Sequence, residues 1–121
     1  MVKALFDTNI LIDYLNGAAA ARAEFARYAE PAISVISWME VMVGADEAAA
    51  PATRRFLARF EVIGLDQGVA EAAVALRRTH RIKLPDAIVW ASAATGSRLL
   101  VTRNTKDFPA DDPGVRFPYV I

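Results

Sequence analysis

The chain has 121 residues, a length that fits one domain built around one hydrophobic core. Hydrophobic residues make up 55% of it and charged residues 23%, a composition typical of globular rather than disordered proteins. It contains no cysteine, which excludes disulfides, thiolate metal sites and a cysteine nucleophile, and which suits a reducing cytoplasm. No apolar run approaches the roughly 20 residues of a bilayer crossing, and none near the N-terminus suffices for a signal peptide. We therefore expect one soluble, cytoplasmic domain over residues 1–121 that does not enter a membrane.

The charges balance overall but are unevenly distributed. Fourteen Lys and Arg residues offset fourteen Asp and Glu residues, and this zero net charge argues mildly against a partner held by phosphate neutralisation. Against that, five basic residues lie in one short segment without an acid among them, namely Arg77, Arg78, His80, Arg81 and Lys83. A solvated helix face and loop would explain them, and so would a phosphate-binding patch beside an active site.

The first half of the chain alternates between strand and helix patterns. The helix after the first strand carries the i,i+4 pairs Ile10/Tyr14 and Leu11/Leu15, and Asn16-Gly17 is a plausible end for it. In chain order, the pattern predicts a strand at Val2–Phe6, a helix capped by Thr8 or Asn9, a helix at Ala18–Ala29, a strand at Ala32–Ile36 and a helix from Ser37 to Ala45.

The second half continues the alternation. Val69, Ala73 and Leu76 recur at the spacing of one helix face, and Pro85 fits the first turn of a later helix. In chain order, the pattern predicts a helix from Pro51 to Arg59, a strand at Glu61–Leu65, a helix at Gln67–Thr79, a helix from Pro85 to Ala94, and strands at Arg98–Thr102 and Phe117–Ile121. Strands that alternate with helices imply a three-layer α/β/α sandwich with a mainly parallel central sheet.

Acidic residues occur where this fold would bring them together. Asp7 follows the first strand, Glu40 lies about one helical turn after the second, Asp86 opens a helix, and Asp107 closes the loop after the Arg98–Thr102 strand. Ligands of such folds bind at the carboxyl ends of the strands. If the sheet is parallel, these four acids converge on one edge.

Each acid also has a purely structural explanation. Ser37 and Glu40 have the spacing of a capping box, and Asp86 in a first helical turn is favoured by the helix dipole. Asp7 could cap the following helix, and Asp107 could stabilise a turn. Taken together, however, four converging carboxylates would repel one another, and a bound divalent cation would remove that repulsion.

The residue inventory points to metal-assisted chemistry. Oxygen ligands suit Mg²⁺ or Mn²⁺, and neither cysteine nor a histidine pair is present for zinc. The single histidine cannot supply both an acid and a base, and neither a G-x-S-x-G elbow nor a Walker phosphate loop is present. Carboxylates with a metal ion remain, a combination that activates water and stabilises charge on phosphoryl oxygens.

Four segments resemble the motifs of PIN-domain nucleases, and most closely those of VapC toxins from toxin–antitoxin pairs. They span nearly the whole chain in order, and are FDTNILIDYL at 6–15, SVISWME at 34–40 with Gly44, LPDA at 84–87 and VTRNTKDF at 101–108. Each motif alone is weakly specific, whereas all four in register are a specific signal.

The resemblance implies roles for individual residues. Asp7 and Asp86 would be the principal metal ligands, Glu40 a ligand or the group that orients water, and Asp107 a ligand or a supporting acid. Thr8, Asn9 and Ser37 match polar positions that orient the carboxylates. Asn104 falls where some relatives carry another acid, so either Asn104 or Asp107 could complete the site. Arg77, Arg81, Lys83 and Arg103 are possible RNA contacts.

The resemblance also implies an activity and partners. We expect a Mg²⁺- or Mn²⁺-dependent endoribonuclease that leaves a 3′-hydroxyl and a 5′-phosphate. It would form a homodimer, and a small antitoxin would inhibit it by blocking the acidic pocket, often with an arginine. Composition and spacing alone indicate none of these properties.

Three other functions fit parts of this pattern. A phospho-receiver signalling domain is also a small Mg²⁺-binding α/β fold, but Asp7-Thr8-Asn9 lacks its acidic pair and no Asp ends the third strand. A haloacid-type phosphatase would carry D-x-D after the first strand, at residues 7–9, whereas residue 9 is Asn. A PIN scaffold that only binds a partner is disfavoured because all four acids are present.

Overall fold

The computed structural model describes residues 1–121, and its elements follow the predicted alternation. The strands are β1 (Ala4–Phe6), β2 (Ala32–Ser34), β3 (Glu61–Ile63), β4 (Leu99–Val101) and β5 (Val115–Arg116). The helices are α1 (Thr8–Leu15), α2 (Ala19–Phe25), α3 (Val35–Gly44), α4 (Ala50–Leu57), α5 (Gln67–His80) and α6 (Leu84–Thr95).

The five strands form one sheet in the order β3-β2-β1-β4-β5, and every pairing in it is parallel. Each connection between neighbouring parallel strands must cross from one end of the sheet to the other, so the intervening segments carry the helices. This arrangement confirms the predicted α/β fold with its parallel sheet.

Alternation along the strands separates two hydrophobic cores. Leu5 packs in one core with Val69 of α5 and with α6, whereas its neighbours Ala4 and Phe6 lie in the other core with residues of α1, α2 and α4. Because successive side chains of a strand point to opposite faces, both faces of the sheet are covered by helices. The three-layer sandwich is therefore confirmed. Trp90 is 4% exposed within the first core.

Several helix ends differ from prediction because local caps take precedence. The N-cap of α1 is Asp7 rather than Thr8 or Asn9, and its carboxylate accepts from the Thr8 amide. This confirms the capping role that was one explanation for Asp7. Ser34 caps α3 by accepting from the Ile36 amide, so the strand stops at Ser34 and Ser37 lies inside the helix. The capping box suggested for Ser37 and Glu40 is accordingly wrong.

The chain also departs from prediction where propensity is overridden by packing. Helix α2 ends at Phe25 rather than Ala29, and Tyr28 after it packs edge-on against Phe6 at a centroid distance of 5.7 Å. The last strand is Val115–Arg116 rather than Phe117–Ile121, because Tyr119 leaves the sheet to donate a hydrogen bond to Asp13.

None of the six helices is both long enough and apolar enough to cross a bilayer.

Candidate acidic active site at the switch point of the sheet

The site lies at the switch point of the sheet, where the chain stops adding strands on one side of β1 and begins adding them on the other. From β1 the chain adds β2 and β3 on one side, then returns to place β4 on the other side of β1. Ligands of open α/β sheets bind at the carboxyl ends of the strands that flank such a switch point. In the register of β1 and β4, Phe6 lies opposite Val101, so the next residues, Asp7 and Thr102, are neighbours at that edge.

Asp7 is buried at the centre of the site. It is 6% exposed, and its Oδ2 accepts a hydrogen bond of 2.8 Å from the Thr102 hydroxyl. Asn9 Nδ2 lies 3.4 Å from the same oxygen, and the Thr8 amide donates to Oδ1 at 2.7 Å. Burial nevertheless raises the pKa of Asp7 to about 6, with further contributions from the negative charges of Asp86 and Glu40. The hydrogen bonds with Thr102 and Thr8 oppose this rise but do not cancel it.

Glu40 reaches the site from α3 and is held by α1. The Thr8 hydroxyl donates to its Oε1 at 2.7 Å and also lies 2.8 Å from the hydroxyl oxygen of buried Ser37. Because a hydroxyl carries one proton, donation to Glu40 leaves the Ser37 hydroxyl to donate to Thr8. Glu40 is exposed, and its other carboxylate oxygen accepts no hydrogen bond within the chain.

Asp86 stands in the first turn of α6, where Pro85 also lies as predicted. It is half-buried. Burial raises its pKa, and the nearby carboxylates of Asp107 and Glu40 raise it further, whereas Lys83 lowers it. The helix dipole alone would favour an acid at this position. The effects of Asp107 and Glu40 on its pKa indicate in addition that Asp86 lies near other carboxylates.

Asp107 is held by Asn104 in the loop after β4. The Asn104 amide nitrogen donates to Asp107 Oδ2 at 3.0 Å, and the Asp107 backbone amide donates to Asn104 Oδ1 at 3.1 Å. The Asn104 backbone amide in turn donates to the Thr102 hydroxyl at 3.0 Å. Asn104 therefore orients Asp107 and links it to the Asp7–Thr102 pair.

The donor set suits a hard divalent cation, although the side chains do not enclose one. No three Asp, Glu or His side chains lie close enough together to form a metal-binding group. The chemistry of the residues still fits, because carboxylate oxygens are the ligands that Mg²⁺ and Mn²⁺ prefer. The pKa values of Asp7 and Asp86 are both raised, and no basic side chain lowers that of Asp7. Glu40 is exposed and Asp86 and Asp107 are half-buried, so their side chains have room to adjust.

The basic residues singled out from the sequence divide into two groups. Arg77 and Arg81 line a shared surface cleft, and Lys83 is close enough to Asp86 to lower its pKa. Arg103 differs: its guanidinium donates to both carboxylate oxygens of Asp13, at 2.5 and 2.9 Å. The guanidinium of Arg103 is therefore engaged within the chain, and its contact with RNA stays a prediction.

Sequence reasoning missed two residues that shape the site. Thr102 was placed only in a strand, yet the β1–β4 register puts it beside Asp7, a position that correct strand pairing would have revealed. Buried Asp13 holds Arg103, whose backbone amide donates to Asn9 Oδ1 at 3.1 Å. Asp13 lies within the FDTNILIDYL motif at 6–15, and that is the signal that could have singled it out.

Several solved structures resemble this fold. A chain of a toxin–antitoxin complex from Klebsiella pneumoniae is 49% identical, with a TM-score of 0.92 over 98% of this chain and 99% of that one. A chain of DNA-bound VapBC from Salmonella typhimurium is 25% identical, with a TM-score of 0.76 and 96% of each chain covered. A chain of VapBC2 from Rickettsia felis, bound to a promoter DNA fragment, is 22% identical with a TM-score of 0.77 over 95% and 96% of the two chains, a likeness of fold alone.

Among curated proteins, no sequence matches the chain significantly. A family model, that of the PIN domain, matches residues 4–110. This match includes strands β1 to β4, all six helices and the four acids, and it agrees with the structural neighbours. The chain belongs to the PIN-domain family and is a VapC-like member of it.

Proposed function

We propose that this protein is the toxin of a toxin–antitoxin pair and acts as a metal-dependent endoribonuclease. The observation that carries the proposal is Asp7, buried at the switch point with a pKa raised to about 6, within the electrostatic reach of Asp86 and Glu40. A buried carboxylate surrounded by like charges is costly to ionise unless a cation neutralises it.

In this proposal, each acid has a distinct role. Asp7 and Asp86 would hold the Mg²⁺ or Mn²⁺ ion, which would supply Lewis-acid stabilisation to a phosphoryl oxygen and lower the pKa of bound water. Glu40, fixed through one oxygen by Thr8, would orient the attacking water with the other. Asp107, held by Asn104, would be a further ligand or a supporting negative charge.

The polar residues between the acids would preserve this arrangement. Thr102 donates to Asp7 and therefore favours its ionised form, the form that binds a cation. Asn9 contacts both Asp7 and Thr102, at 3.4 and 3.3 Å, and so ties α1 to the loop after β4. These contacts would reduce the reorganisation that is needed when substrate arrives.

A groove beside the acids supports the proposed antitoxin partner. It has a volume of about 360 Å³, and Ile12, Leu15 and Val41 form much of its wall while Glu40 borders it. Ile12 and Leu15 are each 43% exposed, an apolar surface that an amphipathic segment could cover. A basic side chain on that segment would meet Glu40. Homodimerisation is likewise part of the proposal and is inferred from the family.

Cleavage of RNA tests this function directly. The purified chain should cut single-stranded or looped RNA with Mn²⁺ or Mg²⁺, leave 5′-phosphate ends and stop when chelator is added. Asp86→Asn should abolish cleavage while the circular dichroism spectrum stays unchanged. Asp111→Asn, a change to an exposed acid outside the site, serves as the matched control and should cleave normally. Cleavage retained in Asp86→Asn would overturn the assignment.

A further inference from the structure

A basic cleft lies on the surface where α5 ends and α6 begins. It has a volume of about 390 Å³ and is lined by Arg77, Arg78 and Arg81 together with the apolar side chains of Val74 and Leu84. No acidic residue lines it. A protein with zero net charge therefore concentrates three guanidinium groups in one cavity.

These charges are not neutralised within the chain. The five ion pairs of the molecule use Lys3, Arg27, Arg98, Arg103 and Arg116, and none of the three cleft arginines. Arg77 is oriented by a hydrogen bond of 2.6 Å from one terminal nitrogen to the Ile82 carbonyl oxygen, which leaves its other donors available. The cleft thus contains at least one guanidinium that is already held in place.

The backbone at Arg81 gives an independent reason to assign a role to its side chain. Arg81 is the C-cap of α5 and adopts φ 57 and ψ 29, the left-handed conformation. Glycine is favoured at such helix ends because a Cβ atom crowds the following carbonyl oxygen. Only Arg81 and Ser97 adopt a positive φ among the non-glycine residues. Cations near a helix C-terminus are favoured by its dipole, but that accounts for Arg77 and Arg78 without requiring a side chain at the strained position.

The first turn of α6 contributes a residue to the cleft and a residue to the acidic site. Leu84 lines the cleft, and Asp86 lies two residues later in the first turn of the same helix. Lys83, the residue before Leu84, is near enough to lower the pKa of Asp86. A polyanion bound at Asp86 would therefore meet at least one cation, Lys83, near the start of α6.

We propose that the cleft of Arg77, Arg78 and Arg81 binds phosphates of the RNA backbone next to the scissile bond. This inference rests on the proposed function. Guanidinium groups suit phosphate because they donate two parallel hydrogen bonds, and the apolar walls formed by Val74 and Leu84 would pack against ribose or base. Contacts of this kind carry little sequence preference and make affinity strongly dependent on salt.

The test measures RNA binding separately from cleavage. Binding of a fluorescent single-stranded RNA is titrated in chelator at several salt concentrations, and the melting temperature and molar mass of each variant are recorded. Arg81→Gly should weaken binding about 10-fold. It should also reduce the slope of log affinity against log salt by about 0.7, the value for one phosphate contact on a single strand. Because glycine relieves the left-handed strain, the melting temperature should rise by about 3 °C.

Ser97→Gly is the matched control. Ser97 has φ 55 and lies at the other end of α6, so glycine should again raise the melting temperature but leave RNA affinity and its salt slope unchanged. Arg81→Lys, which keeps the charge and the strain, should retain most of the salt slope.

The outcomes separate the two proposals. Wild-type affinity in Arg81→Gly would overturn the assignment of the cleft even if the protein cleaves RNA. If Arg81→Gly binds RNA more weakly than the wild type, but the wild type does not cleave RNA when Mn²⁺ is added, the assignment of the cleft is supported and the nuclease function is contradicted. A change in molar mass caused by Arg81→Gly would show instead that the cleft is an interface between copies of the chain, and would overturn the proposal.

Discussion

The hydroxyl of Thr102 donates a hydrogen bond of 2.8 Å to Asp7 Oδ2, and the two residues stand side by side at the carboxyl ends of β4 and β1. Both are buried, with Thr102 fully excluded from solvent and Asp7 6% exposed. The same hydroxyl accepts from the Asn104 backbone amide, so one side chain connects the central acid to the loop that carries Asp107.

Replacing Thr102 with valine tests that connection, since valine keeps the shape and removes the hydroxyl. The hydrogen bond favours the ionised carboxylate, so its loss should raise the pKa of Asp7 further. The acidic limb of the pH profile for kcat/KM should shift upward by about 1 unit, the size expected for one hydrogen bond to a charged group.

Thr105→Val is the control for this change. Thr105 is an exposed threonine of the same loop, and its side chain makes no hydrogen bond within the chain. Its pH profile should match that of the wild type. A Thr102→Val profile that coincides with both would show that the hydroxyl does not influence the titration of Asp7.

The raised pKa of Asp7 predicts a specific dependence of stability on pH. Its folded-state pKa is about 6 against an ordinary value of 3.8, so the folded state binds the proton more tightly than the unfolded chain does. The resulting stabilisation is complete below pH about 4 and is lost as the pH rises through about 6. Without metal, Asp7→Asn should therefore unfold at a higher temperature than the wild type at neutral pH, with a gain of about 1–3 kcal/mol that disappears near pH 4.

Thermal melts of both proteins in chelator across this pH range measure the effect. Adding Mn²⁺ at neutral pH should raise the melting temperature of the wild type and leave that of Asp7→Asn nearly unchanged, because a ligand stabilises only the form that binds it. Equal melting temperatures for the two proteins in chelator at neutral pH would show that Asp7 is not under electrostatic strain.

Asp13 and Glu24 are buried acids that each accept hydrogen bonds from one arginine and one tyrosine. Comparing them separates the positioning role of Asp13 from its effect on stability. Asp13 accepts from Arg103 and Tyr119, and Glu24 accepts in the same way from Arg116 and Tyr28. Asp13→Asn and Glu24→Gln should each lower the free energy of unfolding by about 2–3 kcal/mol, because each leaves a half-buried arginine short of its partner.

Only Asp13 connects to the acidic site, through the Arg103 backbone amide and Asn9. At a temperature where both variants are folded, Asp13→Asn should therefore bind Mn²⁺ more weakly than wild type, whereas Glu24→Gln should bind it normally. Equal Mn²⁺ affinities in the two variants would reduce Asp13 to a purely structural role.

Much of the fold follows from local sequence patterns. The short apolar runs at Ala4–Phe6, Ala32–Ser34 and Leu99–Val101 mark buried parallel strands because both faces of the sheet are covered. Parallel pairing then brings the residues that follow β1 and β4 to one edge, so the neighbourhood of Asp7 could be predicted without knowing any distance. The structure places Asp86 and Glu40 near enough to influence the pKa of Asp7, and Asp107 near enough to influence that of Asp86, but it does not bring three of these acids into one metal-binding group.

The sequence is less informative where tertiary contacts decide the outcome. Apolar composition predicted a strand at Phe117–Ile121, but Val120 is 97% exposed and the segment is fixed instead by the bond between Tyr119 and Asp13. The ion pair of Arg103 with Asp13 could not be predicted, because the two residues are 90 positions apart in the sequence. Long-range pairs of this kind have no local signal, so only the folded structure reveals which charges are available.

Binding of Mn²⁺ by the metal-free protein tests whether Asp7 and Asp86 form a metal site. Calorimetric titration of the wild type at neutral pH should show saturable binding with release of protons, since metal displaces the proton that Asp7 partly retains. Asp86→Asn should bind at least about 10-fold more weakly, and Asp111→Asn should bind as the wild type does. Equal affinity in all three proteins, or no binding by the wild type, would contradict the assignment of Asp7 and Asp86 as the metal site.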